Sequence, residues 1–175
     1  MKTKLIVILA LLLPNLFLTN SYSQNSKFIG SISSGINSPI GETGVTNQGG
    51  YSISGKIGYK FNSHLVSGID VDYNSFPNKN DKTINSGGSF VSQSFKVFFM
   101  FTNFSSKGKI FPYGLLAFGL NMKDSGPFNM DIGGGIGYRI SKNVSFFLEP
   151  KFTGTFESYS NLMFTSVKMG VMLSP

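Results

Sequence analysis

The chain has 175 residues and a formal net charge of +7, but only 13% of its residues are charged, about half the share usual in soluble domains, and it holds 21 glycines. The basic residues are scattered singly, so a nucleic-acid footprint is not indicated. With no cysteine, the sequence excludes disulfides, thiolate metal sites and a lipid-anchoring cysteine behind a leader.

In chain order, Met1-Lys2-Thr3-Lys4 precedes an apolar run from Leu5 to Leu13, and small residues, Ser21 and Ser23, follow near position 23. A basic start, a short apolar stretch and small residues before a cut predict a secretory signal peptide over 1–23. Pro14 and Asn15 end the run short of the roughly 20 apolar residues that a spanning helix needs. Lys2 and Lys4 leave with the signal, and the remaining 24–175 is one domain by length.

After residue 23 no stretch sustains a 3.6-residue period, and alternation by two dominates. The clearest stretch is 51–61, where Tyr51, Ile53, Ile57, Tyr59 and Phe61 share one face and Ser52, Ser54, Lys56 and Lys60 the other. The same reading predicts strands at 28–37, 65–76, 90–101, 110–120, 130–140, 144–156 and 162–173, eight in all. Each reaches the 9 to 11 or so residues with which a tilted strand crosses a bilayer. Connections alternate between short (62–64, 102–109, 141–143) and mostly longer (38–50, 77–89, 121–129, 157–161). Short periplasmic turns opposite longer outer loops, with both termini periplasmic, are the asymmetry of an outer-membrane barrel.

Alternation does not separate a membrane barrel from a soluble, lipocalin-like one, so the polar face decides. It is built mostly of small residues, such as Gly133, Gly135 and Gly137, which suit the cramped inside of an eight-strand ring and not a water-facing coat. Aromatics gather near strand ends as interfacial girdles do: Tyr59, Phe61, Phe101, Phe111, Tyr113, Tyr138 and Phe146 at one end, and Tyr51, Tyr73, Phe76, Phe128, Phe156 and Tyr159 at the other. Pro150, within a closed sheet, predicts a bulge. The strand 110–120 is apolar on both faces, which leaves its orientation open.

Turn lengths give a register for the inner charges. A three-residue turn at 62–64 sets Lys56 opposite Asp70, pairing Phe76 with Phe90 sets Lys96 beside the same Asp70, and a four-residue loop at 157–160 sets Glu149 opposite Lys168. Cross-strand neighbours of opposite sign are favourable. The expectation is a lumen plugged by ion pairs, Lys56–Asp70–Lys96 on one wall and Glu149–Lys168 on another. Glycines 133, 135 and 137 point one way and leave room for a bulky side chain, with Phe147 the candidate occupant.

Catalytic and cofactor chemistry finds no support. The single histidine, His64, falls in a periplasmic turn and lacks the partners of a triad. One histidine and no cysteine give no clustered ligands for zinc-type metals. Asp70 and Asp72 suggest a Ca²⁺ site only weakly, because Lys56 and Lys96 compete for the same oxygens. The run 131–138 lacks the helix and spacing of a phosphate loop. In the longer connection at 77–89, Lys79, Asp81 and Lys82 are candidates for contact with lipopolysaccharide sugars or a protein partner.

The signal ending before Gln24, the strand Pro112-Tyr113-Gly114-Leu115-Leu116-Ala117-Phe118-Gly119-Leu120, the glycine-rich 133–138 and the closing Val167-Lys168-Met169-Gly170-Val171 resemble one group. With these motifs the chain resembles the Bacteroidetes-type outer membrane β-barrel proteins, small eight-stranded relatives of the OmpA and OmpX barrels. The resemblance spans the mature chain and implies an eight-stranded antiparallel up-and-down transmembrane barrel, delivered by the barrel-insertion machinery and surrounded by outer-membrane lipid. Such barrels commonly finish on an aromatic, whereas this sequence finishes Leu173-Ser174-Pro175. The expected function is a non-enzymatic structural or surface-interaction barrel, possible also as accessory subunit of an envelope complex. The alternatives are a narrow pore or lateral path for small or apolar solutes, and a soluble periplasmic lipocalin-like ligand-binding barrel.

Overall fold

A computed structural model describes residues 27–41, 47–77, 90–103, 108–122, 126–156 and 161–174. The signal segment, Lys79, Asp81, Lys82 and Tyr159 lie outside the described residues. Eight antiparallel strands, β1 (Phe28–Ile40), β2 (Gly50–Lys60), β3 (Leu65–Phe76), β4 (Phe90–Thr102), β5 (Ile110–Asn121), β6 (Phe128–Arg139), β7 (Val144–Phe156) and β8 (Asn161–Leu173), pair in chain order and close β8 onto β1. The fold is an all-β closed barrel, and closure removes the open sheet edges that an isolated sheet would expose.

Side-chain polarity sets which face turns in. Along β2, Ser52, Ser54 and Lys56 are buried while Tyr51, Ile53 and Ile57 are exposed. The same parity runs through β1, where Ile32 and Ile36 are 68% and 71% exposed and Ser33 and Asn37 are buried. The oily side chains therefore face out and the small and charged ones face in. β5 resolves likewise: Phe111, Tyr113, Leu115 and Ala117 point inward, Ile110, Phe118 and Leu120 outward.

Turn chemistry fixes the register. In the β2–β3 turn the Asn62 side-chain oxygen accepts hydrogen bonds from the backbone N–H of His64 at 2.7 Å and of Leu65 at 2.9 Å. In the β6–β7 turn Ser141 Oγ accepts from Asn143 and Val144. Such side-chain-to-backbone bonds hold a tight turn, and a one-residue slip would send every inner side chain outward. Following the register from Ile29 through Gly58, Gly68, Phe98, Ala117, Asp131, Thr153 and Phe164 returns to β1 at Pro39, a stagger of ten residues. That stagger tilts the strands, by about 40° in barrels of this class.

The bulge expected at Pro150 does not form. Pairing of β6 with β7 skips from Gly133↔Lys151 to Ile136↔Leu148 without a change of register. Pro150 faces outward and pairs with Val167 on its other side, so the missing N–H interrupts one ladder without inserting a residue.

Tilt brings inner residues from different register positions to one height, and the lumen is stratified as a result. At the turn end, Ile29, Val66, Phe98, Met100, Phe111, Tyr113, Phe147 and Met172 form a buried apolar cluster. Charged residues fill the middle, and serine, threonine and asparagine side chains lie above them. A second apolar cluster of Phe76, Leu162 and Phe164 stands toward the loop end, with the Phe76 and Phe164 rings 5.0 Å apart and edge to face.

Outside, aromatics ring both ends. Phe28, Tyr59 and Phe61 touch in series at the turn end, with centroids 5.5 and 5.3 Å apart, and Phe118, Phe128 and Phe156 do so at the loop end, at 6.4 and 6.3 Å. Three of the aromatics expected in these rings are lumen residues instead, because Phe111, Tyr113 and Phe76 have inward parity and are buried.

Candidate functional site

The inward parity of six strands delivers eight ionisable side chains to the middle of the lumen: Lys56, Asp70, Asp72, Lys96, Asp131, Glu149, Lys151 and Lys168, all buried. Four cations face four anions, so the layer is neutral as a whole. Its centre is a square. Lys96 Nζ donates to Asp72 Oδ2 and Asp131 Oδ2, both at 2.6 Å, and Lys151 Nζ donates to the same two oxygens at 2.7 and 2.8 Å. Lys168 Nζ donates to the other Asp72 oxygen. Asp70 stands at the edge, its Oδ2 3.9 Å from Lys151 Nζ. Nearer the turn end, Lys56 Nζ donates to both Glu149 oxygens at 2.5 and 2.6 Å, and Tyr113 donates its hydroxyl to Glu149 Oε2 at 3.0 Å.

The register sets Lys56 opposite Asp70, Asp70 opposite Lys96 and Glu149 opposite Lys168. The ion pairs nevertheless form elsewhere. Lys56 reaches across to Glu149, and Lys96 and Lys168 both go to Asp72. The physical reason is reach. Directly opposed Cβ atoms stand only about 5 Å apart, whereas in a narrow ring the stems of Lys56 and Lys168 extend over the axis toward the far wall, and that of Lys96 reaches diagonally to Asp72, two residues beyond Asp70 on the neighbouring strand. Sequence reasoning missed Lys151 and the Tyr113 hydroxyl altogether. The signal for Lys151 was its parity, two residues from Glu149 on the same inner face.

The glycine-rich face of β6 accommodates bulk, but from the other neighbour. A Cβ at Gly137 would collide with the Phe111 ring and one at Gly135 with the Tyr113 ring, both from β5. Phe147, the expected occupant, lies instead over Gly170 of β8, where a Cβ would come within 2.8 Å of its ring.

Oxygens of Asp70, Asp72 and Asp131 lie within 4.8 Å of one another, a spacing that could suit a cation. Ammonium groups of Lys96, Lys151 and Lys168 already bond both Asp72 oxygens and Asp131 Oδ2, and Asp70 Oδ2 lies 3.9 Å from Lys151 Nζ, so this trio belongs to the anionic side of a salt-bridge network. Above it, Ser33 and Ser54 share a hydrogen bond of 2.7 Å, and Asn37 Nδ2 donates to Asn74 Oδ1 at 3.1 Å. His64 sits in the exposed β2–β3 turn with Ser63 Oγ 2.8 Å from its Nδ1, far along the strands from the ionic layer.

No protein-family model and no curated protein matches the chain. Among solved structures, surface protein A of Neisseria is similar with a TM-score of 0.64 and 16% identity, over 85% of this chain and 97% of that one. A designed transmembrane β-barrel is similar with a TM-score of 0.52 and 16% identity, over 86% of this chain and 97% of the design. At this identity the likeness shows the fold alone: a closed, eight-stranded antiparallel barrel.

Proposed function

We propose that the chain is an integral outer-membrane β-barrel with a closed lumen, serving a structural or surface-interaction role without catalysis. The observation that carries this reading is the inversion of polarity across the wall. Asp70, Lys96, Glu149 and Lys168 are 0% exposed inside the ring, while Ile32, Ile36 and Met169 stand 66% or more exposed outside it. A barrel in water would have the opposite arrangement, and a lipocalin-like ligand site would need an apolar inside. Aromatic rings at both ends of the oily band suit the two membrane interfaces.

The same burial supports a plug over a pore. Side chains fully buried across the middle of the ring support a lumen with no wet path past them, and the apolar cluster at the turn end blocks the axis a second time. In this reading both termini face the periplasm, the barrel-insertion machinery assembles the protein, and the outer loops with Lys79, Asp81 and Lys82 meet lipopolysaccharide or an envelope protein partner.

Reconstitution of the mature chain into planar bilayers tests it. The expected record is a bilayer that stays electrically silent although the protein resists carbonate extraction from vesicles. Steady conductance would replace the plug with a pore, and release by carbonate would remove the membrane assignment.

A further inference from the structure

Among the described residues, every buried side-chain atom that lacks a hydrogen-bond partner is an oxygen. Four of these oxygens fall on one patch of the inner wall. Asn129 stands opposite Thr155 and Asp131 opposite Thr153 across β6 and β7, two successive inward steps at and just above the ionic layer. All four side chains are 4% exposed or less, and the unpartnered atoms are Asn129 Oδ1, Asp131 Oδ1, Thr153 Oγ1 and Thr155 Oγ1. Stranding a buried polar group costs as much as a hydrogen bond contributes or more, so four on one patch ask for a partner.

The wall beside the patch cannot supply one. On the β8 side, Thr153 and Thr155 face Phe164 and Leu162 of the loop-end apolar cluster. On the β5 side, Asp131 and Asn129 face Ala117 and Gly119, and the stem of Lys96 lies over Gly119 on its way to Asp131 Oδ2. Nor do the pairs close on themselves. Ser33 and Ser54, opposed in the same way across β1 and β2, bond directly at 2.7 Å, whereas the hydroxyls of Thr153 and Thr155 bond neither opposed oxygen. Opposed Cβ atoms stand about 5 Å apart, and polar atoms held beyond direct reach are bridged by a molecule small enough to fit between them.

Chemistry selects the molecule. The Asn129 amide oxygen and the Asp131 carboxylate oxygen only accept, so the ligand must donate, which excludes an anion. A metal cation would add charge to a layer in which four cations already balance four anions, beside the two ammonium groups on Asp131 Oδ2. Water is neutral, donates two hydrogen bonds and accepts two, and so satisfies an acceptor and a hydroxyl together.

We propose that the Asn129/Thr155 and Asp131/Thr153 pairs are each bridged by a buried water, held between the ionic layer and the loop-end apolar cluster as a built-in part of the barrel. The proposal rests on the fold alone and not on the membrane reading.

The mature chain and its Thr153→Val, Thr155→Val and Thr165→Val variants, folded into detergent micelles and unfolded by urea, test it. Valine keeps the shape of threonine and removes the hydroxyl. Thr165, exposed on the outer face of β8, reports what that exchange does by itself. Where water bonds the hydroxyl, each inner variant loses that bond, and its folded-to-unfolded ratio is expected to fall about fivefold relative to Thr165→Val. Where nothing bonds it, the same change removes a buried unsatisfied group, so a ratio that holds or rises in either inner variant would overturn the proposal.

Exchanging sodium chloride for potassium or choline chloride at equal concentration should alter neither the parent nor the variants. A gain in one metal salt that Thr153→Val abolishes would replace the water with a bound cation. A crystal structure of the parent, which depends on no variant, should show water within hydrogen-bond distance of each hydroxyl and its opposed oxygen. Direct bonds between the opposed side chains, or a dry gap, would remove the bridge.

Discussion

The two halves of the lumen solve one packing problem by different chemistry. At the turn end, rings and methionines such as Phe98, Met100, Phe111 and Phe147 fill the ring, and glycines on the opposing strands make the room. At and above the middle, the same inward positions hold lysines, carboxylates, hydroxyls and amides that are just as buried. The apolar half is held by contact, which tolerates small shifts and repacking. The ionic half is held by pairing, and a buried charge without its partner has nowhere to go. The difference predicts unequal sensitivity to single substitutions in the two halves.

Asp72 should be the most damaging position. Its two oxygens accept from Lys96, Lys151 and Lys168, so Asp72→Ala leaves three buried ammonium groups around one remaining central carboxylate, Asp131. A loss of about 3–5 kcal/mol is expected, as for removal of one member of a buried ion pair. Urea unfolding of the micelle-folded barrel measures it. A loss within the range of an ordinary surface substitution would mean that water enters the ionic layer and that the lumen is not sealed.

A smaller effect is expected in the apolar half. The three atoms nearest a Cβ at Gly137 all belong to the Phe111 ring, which is a side chain and can be trimmed. Gly137→Ala should cost about 1–3 kcal/mol by overpacking, and Phe111→Leu in the same chain should recover much of it. Gly135→Ala should resist the equivalent rescue by Tyr113, because its Cβ would also strike the Leu148 carbonyl oxygen of the backbone. If both glycines respond alike to trimming of the ring, the close approach of β6 to β7 at Gly135 is not what limits that site.

Much of this comparison is legible in the sequence, and the part that is not has a common cause. Strands, their order and the register across Asn62-Ser63-His64 follow from alternation and turn chemistry, which are local. Facing was readable wherever the two faces differ, as in β2, and unreadable in β5, whose inner Phe111, Tyr113 and Leu115 are as apolar as its outer Ile110, Phe118 and Leu120. Only knowing that one end of the lumen is packed with rings explains an apolar inner face there. Ion-pair partners were misassigned for a related reason: register names neighbours along the wall, whereas Lys56 meets Glu149 across the axis, and curvature is not written in any two-strand pattern. The loop candidates Lys79, Asp81 and Lys82 lie outside the described residues.

The finest contrast concerns the hydroxyl layer above the charges. Ser33 and Ser54 stand opposite each other, both buried, and share one hydrogen bond of 2.7 Å. Ser33→Ala alone strands the Ser54 hydroxyl without that partner and should cost about 1 kcal/mol, whereas Ser33→Ala with Ser54→Ala removes donor and acceptor together and should cost less than the single change. The non-additivity is the informative quantity, because it exists only where water cannot replace the lost partner. Costs that simply add in the double variant would mean that each hydroxyl is already solvated. The loop-end half of the lumen would then be wet down to the ionic layer, and the barrier along the axis would be the apolar cluster at the turn end alone.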